Sequence, residues 1–131
     1  MIMGIGTDLL EIARVKKIIE GPAGDRFVTR VLTPGEQELL ESRKGRLTEF
    51  VAGRFAAKEA VTKALGCGIG KQVALQDIAI LSDELGKPHC EVSADALRRL
   101  QLSPNAIMIH LSITHTQDLA MAYAVVERTY T

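Results

Sequence analysis

The sequence predicts an α+β domain in which antiparallel strands pack around one long helix, and three stretches predict it. Residues 48–65 contain no proline, a single glycine, and mostly strong helix formers. Residues 106–114 and 119–127 read as a hairpin. In its first strand His110, Ser112 and Thr114 alternate with Ile109, Leu111 and Ile113, giving one polar and one apolar face. Residues 1–10 form an apolar strand interrupted at period two by Gly4 and Gly6, which predicts close approach of another backbone or a ligand.

Taken in order, the first strand delivers Asp8 to its end, where the carboxylate can cap the following helix, take a catalytic role, or both. Residues 11–20 are helical, with Ile12, Val15, Ile18 and Ile19 as the apolar stripe, and Gly21-Pro22-Ala23-Gly24 breaks the helix. A short helix over 25–32 turns Phe27, Val28, Val31 and Leu32 inward and Arg26 and Arg30 outward. Thr33-Pro34-Gly35-Glu36 is a capping box with proline in the first turn, opening a helix to about residue 42. Residues 43–46 form a basic turn into the long helix.

On that helix Phe50, Gly53, Ala56, Ala57, Ala60, Val61 and Ala64 share one half, small enough to let a neighbour pack closely. The other half carries Arg54, Lys58, Glu59, Thr62 and Lys63, with Val51, Phe55 and Leu65 among them, so most of the helix is predicted to be buried. Its charges then need partners. The Glu59–Lys63 spacing allows an ordinary helix pair worth about 0.3–0.5 kcal/mol. It equally allows an anion held by the cations and a metal held by Glu59, and spacing does not choose. Gly66 suits a left-handed cap. The alternating Gly66, Gly68 and Gly70 suggest a loop that moves or admits a ligand. Residues 77–82 and 88–92 form a second hairpin, Ser93 caps a helix to about residue 100, and Ala120, Ala122 and Ala124 place the last strand against a helix.

Composition excludes little and implies little. One domain fits 131 residues, and 16 basic against 16 acidic residues gives no bulk argument for nucleic acid or an anionic membrane. Without tryptophan and with 4% aromatics, base-stacking platforms are not expected. No apolar run spans a bilayer and no signal peptide is visible, so a cytoplasmic location is expected, with Cys67 and Cys90 reduced.

Three patterns together carry a resemblance: Gly4-Ile5-Gly6-Thr7-Asp8, Phe55-Ala56-Ala57-Lys58-Glu59-Ala60-Val61-Thr62-Lys63, and Ser112-Ile113-Thr114-His115-Thr116. The chain resembles the short bacterial 4'-phosphopantetheinyl transferases, the holo-acyl-carrier-protein synthases, over essentially its whole length. Residues 47–55 and Gly86-Lys87-Pro88 share the likeness.

The resemblance implies a strongly bent antiparallel sheet around the helix, a homotrimer with sites between subunits, and transfer of phosphopantetheine from coenzyme A to a serine of apo acyl carrier protein. It makes Asp8 and Glu59 the magnesium ligands, a pairing that suits magnesium's habit of taking one or two carboxylates plus phosphate and water. Lys63 is implied at the pyrophosphate. Arg54 and Lys58 are expected at phosphates, and Lys44 or Arg46 at the 3'-phosphate. Pro88 and His115 are expected at coenzyme A, with Ser112 and Thr114 flanking its phosphates. Asp8 and Glu59 would come from one chain and the hairpin residues from the next. Arg14, Arg26, Phe27 and Arg30 would dock the acidic carrier. The proton acceptor stays open between Glu59 and a water that the carboxylates orient. Rival readings are a magnesium-dependent hydrolase of coenzyme A or a nucleotide, and a non-catalytic binding module.

Overall fold

The computed structural model describes residues 1–43 and 46–129. Strand β1 (Ile2–Glu11) leads into helices α1 (Ile12–Glu20), α2 (Gly24–Val31), α3 (Pro34–Arg43) and the long α4 (Leu47–Leu65). A 3-10 turn (Leu75–Asp77) precedes the hairpin β2 (Ile78–Ser82) and β3 (Pro88–Val92). Then come α5 (Ala94–Arg99) and the hairpin β4 (Ile107–His115) and β5 (Leu119–Arg128). All pairings are antiparallel and divide into two sheets, β1-β5-β4 and β2-β3. In place of the one bent sheet expected there are two: β3 and β4 lie near each other without strand pairing, and Ile78 and Ile80 of β2 share a core with Ala56, Ala57 and Ala60 of α4.

Close packing of β1 on α4 depends on the two glycines. A Cβ on Gly4 would land on the carbonyl oxygen of Ala64, and one on Gly6 on that of Ala60. Ala122, Ala124 and Val126 of β5 are buried with Ala56, Ala57 and Ala60, and Ala120 with Val51 and Ala52, so small side chains on both elements let helix and sheet approach. The opposite face of the three-stranded sheet is exposed and mixed, presenting Ile5, Leu9, Met108, Met121 and Tyr123 beside Thr7, His110, Ser112 and Thr114.

The capping box forms as expected. The Thr33 N–H donates to Glu36 Oε1 at 2.7 Å, and the Glu36 N–H donates to Thr33 Oγ1 at 3.2 Å. Gly66 ends α4 at φ +82, where only glycine sits without strain, and Gly66 and Cys67 N–H close back on Lys63 and Thr62 carbonyls. The thiols of Cys67 and Cys90 are free, and burial pushes the Cys90 pKa up to about 12, so that thiol stays protonated.

One expected site residue is overturned here. Lys58 is 0% exposed. Its ammonium donates to the Val31 carbonyl at 2.6 Å, Glu36 Oε1 at 2.7 Å and the Leu75 carbonyl at 3.1 Å, which uses all three protons. Glu36, also 0% exposed, takes a further bond from the Ile80 N–H at 2.8 Å. Burial pulls the Lys58 pKa below the usual lysine range, and the Glu36 carboxylate pulls it back. Lys58 is therefore a structural cation that ties α4 to α2, α3 and the 3-10 turn, with Glu36 carrying the tie on to β2, and it has no proton left for a phosphate.

Candidate active site

Two clusters of functional side chains flank α4. The first lies where β1 crosses the C-terminal half of the helix. β1 runs on to Glu11 before α1 begins, and Glu11 rather than Asp8 occupies the cap position. Asp8 is thereby released from capping and sits on the helix-facing side of β1, in register with Ala122. Lys63 donates to the Thr7 carbonyl at 3.0 Å and lies 3.3 Å from Asp8 Oδ1, so it pairs with Asp8 instead of making the i,i+4 bridge to Glu59. Glu59 completes the cluster. Burial raises its pKa first, the Asp8 carboxylate raises it further, and Lys63 opposes both. Two acids remote in sequence thus feel one another across a half-buried gap.

The second cluster is a cavity of about 380 Å³ at the N-terminal half of α4, lined by Arg46, Phe50, Arg54, Pro88 and His115 among others. Arg54 is almost fully buried. Its Nε donates to the Ile80 carbonyl at 3.1 Å, its Nη2 to Ser82 Oγ at 3.3 Å, and its guanidinium carbon lies 4.4 Å from the centre of the Phe50 ring. Held this way, the guanidinium is fixed in the cavity wall. Beside it a second hollow is bounded by Arg46, Glu49, His115, Thr116 and Gln117. Cations with one histidine around an apolar floor suit a phosphorylated nucleoside.

Asp8, Glu59 and Lys63 do not line that cavity. Arg54 and Glu59 point about 140° apart around the helix, and the strands that carry Asp8 and His115 are the two edges of a three-stranded sheet, roughly 10 Å apart. Ser112 and Thr114, expected beside the phosphates, project from the exposed sheet face in register with Tyr123 and Met121. Within one chain they reach neither cluster. Lys44 lies outside the described residues. Arg14, Arg26 and Arg30 are exposed on α1 and α2, whereas Phe27 is half-buried with its ring 5.9 Å from that of Phe55 and has a core role beside any docking one. Glu49 and Ser82 line the cavity without having been singled out by sequence, and Phe50, read there as part of the helix's packing face, lines it too. Ser82 had no signal, because its place depends on the register of a hairpin.

Residues 4–124 match the sequence profile of the 4'-phosphopantetheinyl transferase superfamily, and the chain belongs to that family. Within it the chain falls among the holo-acyl-carrier-protein synthases. A "Holo-[acyl-carrier-protein] synthase" of Bacillus cereus is 44% identical over 128 residues, 97% of each chain. The crystal structure of a holo-(acyl-carrier-protein) synthase from Bacillus anthracis in complex with CoA (3',5'-ADP) aligns at TM-score 0.80 and 42% identity, covering 98% of this chain and 99% of the other. The Neisseria meningitidis synthase aligns at TM-score 0.84 and 35% identity, covering 98% and 100%. Membership makes the chain a transferase that moves the 4'-phosphopantetheine arm of coenzyme A onto apo acyl carrier protein.

Proposed function

We propose that the transfer runs at a site completed by two copies of this chain, with Asp8, Glu59 and Lys63 of one copy facing the Arg46–Arg54–Pro88–His115 cavity of the next. The observation that carries this reading is the separation of the two clusters onto opposite flanks of α4, beside an exposed sheet face on which Ile5, Leu9, Met108, Met121 and Tyr123 lie among Ser112 and Thr114. Stacking that face on a neighbour's would cover the apolar side chains and bring the clusters together. A homotrimer is the closed assembly that the family resemblance implies.

The carboxylates fit a magnesium ion. Burial and then the Asp8 carboxylate raise the proton affinity of Glu59, a repulsion that a divalent cation would relieve, and oxygen ligands of this number leave room for phosphate and water. Asp8 and Glu59 would hold it, and there it would supply positive charge against the diphosphate. In the reaction the serine oxygen of the carrier forms a bond to the phosphorus nearest the pantetheine. The bond from that phosphorus to the leaving adenosine 3',5'-bisphosphate breaks, and the serine proton passes to a water oriented by the two carboxylates. Lys63, half-exposed on a flexible stem, can leave Asp8 to meet charge growing on the diphosphate oxygens. Arg46, Arg54 and His115 fix the nucleotide end. The exposed Arg14, Arg26 and Arg30 offer a local positive surface to an acidic carrier, although the chain as a whole is neutral.

Incubation with coenzyme A, magnesium and apo carrier protein tests the reading by mass spectrometry. One phosphopantetheine added to the carrier supports it. Consumption of coenzyme A without a carrier points to a hydrolase, and binding without turnover points to a non-catalytic module.

A further inference from the structure

The turn between β2 and β3 forms one wall of the cavity, contributing Gly86, with Ser82 and Pro88 at its two ends. Leu85, its one large hydrophobic residue, is 93% exposed. Among the described residues, one side chain and two backbone hydrogen bonds brace the turn. Asp83 Oδ1 accepts the N–H groups of Leu85 and Lys87, both at 2.9 Å, and Asp83 Oδ2 lies 3.0 Å from His89 Nε2. The Asp83 N–H donates to the Lys87 carbonyl at 2.9 Å and its carbonyl accepts from Gly86 at 3.0 Å, with Gly86 at φ +82. The contacts from His89 and the two N–H groups hold the Asp83 carboxyl below the usual carboxylate range, so it stays an acceptor near neutrality.

We infer that Asp83, clasped by His89, is a positioning residue for coenzyme A: it shapes the 83–87 turn so that Gly86 and Pro88 close the nucleotide cavity. The inference rests on that cavity being the coenzyme A site. Removing the carboxylate leaves two turn N–H groups to water and gives Gly86 freedom to leave the cavity edge. Asp83's own partners are Leu85, Lys87 and His89, and none of the chemical groups Asp8, Glu59 and Lys63 is among them, so the change acts on coenzyme A binding first. The turn also adjoins Ser82, the hydroxyl that receives the Arg54 guanidinium, so loosening it slackens a second wall.

The test compares wild type, Asp83→Ala, Asp83→Asn and His89→Ala in the transfer assay, with coenzyme A binding followed by calorimetry. Loss of the two backbone contacts should raise KM and Kd for coenzyme A about tenfold in Asp83→Ala, with kcat within about twofold of wild type. Asp83→Asn keeps an oxygen for both N–H groups and should fall within about threefold of wild type, and His89→Ala should lie between the two. An unchanged KM in Asp83→Ala overturns the inference. So does a loss borne by kcat that asparagine does not rescue, because that describes general destabilisation. Failure of the wild-type protein itself to bind coenzyme A would instead overturn the assignment of the cavity.

Discussion

Replacing Lys58 by methionine separates a structural cation from a phosphate-binding one. The ammonium is fully buried and its three protons go to Glu36 and two backbone carbonyls. Methionine fills similar volume but strands the Glu36 carboxylate, which keeps only the Thr33 and Ile80 N–H groups. Breaking one side of a buried ion pair costs about 3–5 kcal/mol. At this chain length that corresponds to a fall in Tm of roughly 10–20 °C. Urea unfolding of Lys58→Met, Glu36→Gln and the double variant supplies the assay, and the double variant should lose less than the sum of the two, by about 1–3 kcal/mol. The folded fraction of Lys58→Met should keep a wild-type KM for coenzyme A. A stable Lys58→Met protein with a much raised KM would refute the reasoning and return Lys58 to the phosphates.

Four further outcomes follow from the same geometry. Glu59→Gln should abolish transfer yet raise Tm near neutral pH by about 1–3 °C, a shift kept small by solvent screening. The sign follows from Glu59's raised folded pKa: the wild-type residue favours folding below its unfolded pKa and loses that advantage as pH rises through the folded one, so the variant's gain should vanish in acid. Calorimetry should show magnesium affinity climbing as pH rises through a value above the ordinary glutamate range, and Asp8→Asn should shift that rise to lower pH. Gly6→Ala puts a methyl group onto the Ala60 carbonyl and should cost about 1–3 kcal/mol in urea unfolding. Arg14→Glu with Arg26→Glu should raise KM for the carrier protein, leave KM for coenzyme A alone and flatten the dependence of carrier binding on salt.

Much of the fold was legible because local chemistry and tertiary demand agree. Thr33 and Glu36 announce a helix start that forms as written, Gly4 and Gly6 announce a helix backbone against β1, and the alternate alanines of β5 meet the same helix. The site was legible in part. Asp8 and Glu59 do approach, but helical spacing reports only the direction in which a side chain leaves the axis, not what waits there. Arg54 and Lys58 are neighbours on one face, yet Lys58 meets the Glu36 carboxylate and Arg54 meets a cavity. The family resemblance sets Ser112 and Thr114 at the phosphates, whereas the pleat turns them away from the helix onto the outer sheet face. The Asp83 clasp had no sequence signal, since it depends on a turn conformation that two backbone N–H groups complete.

Subunit complementation tests the shared site most directly. Glu59→Ala lacks one half-site and the Arg46→Ala/His115→Ala variant lacks the other, so each alone should be nearly inactive. Unfolded together and refolded at equal concentration, random closed assemblies should rebuild about a quarter of the sites intact and recover about that share of wild-type activity. A mixture no more active than its two components would contradict a site shared between copies.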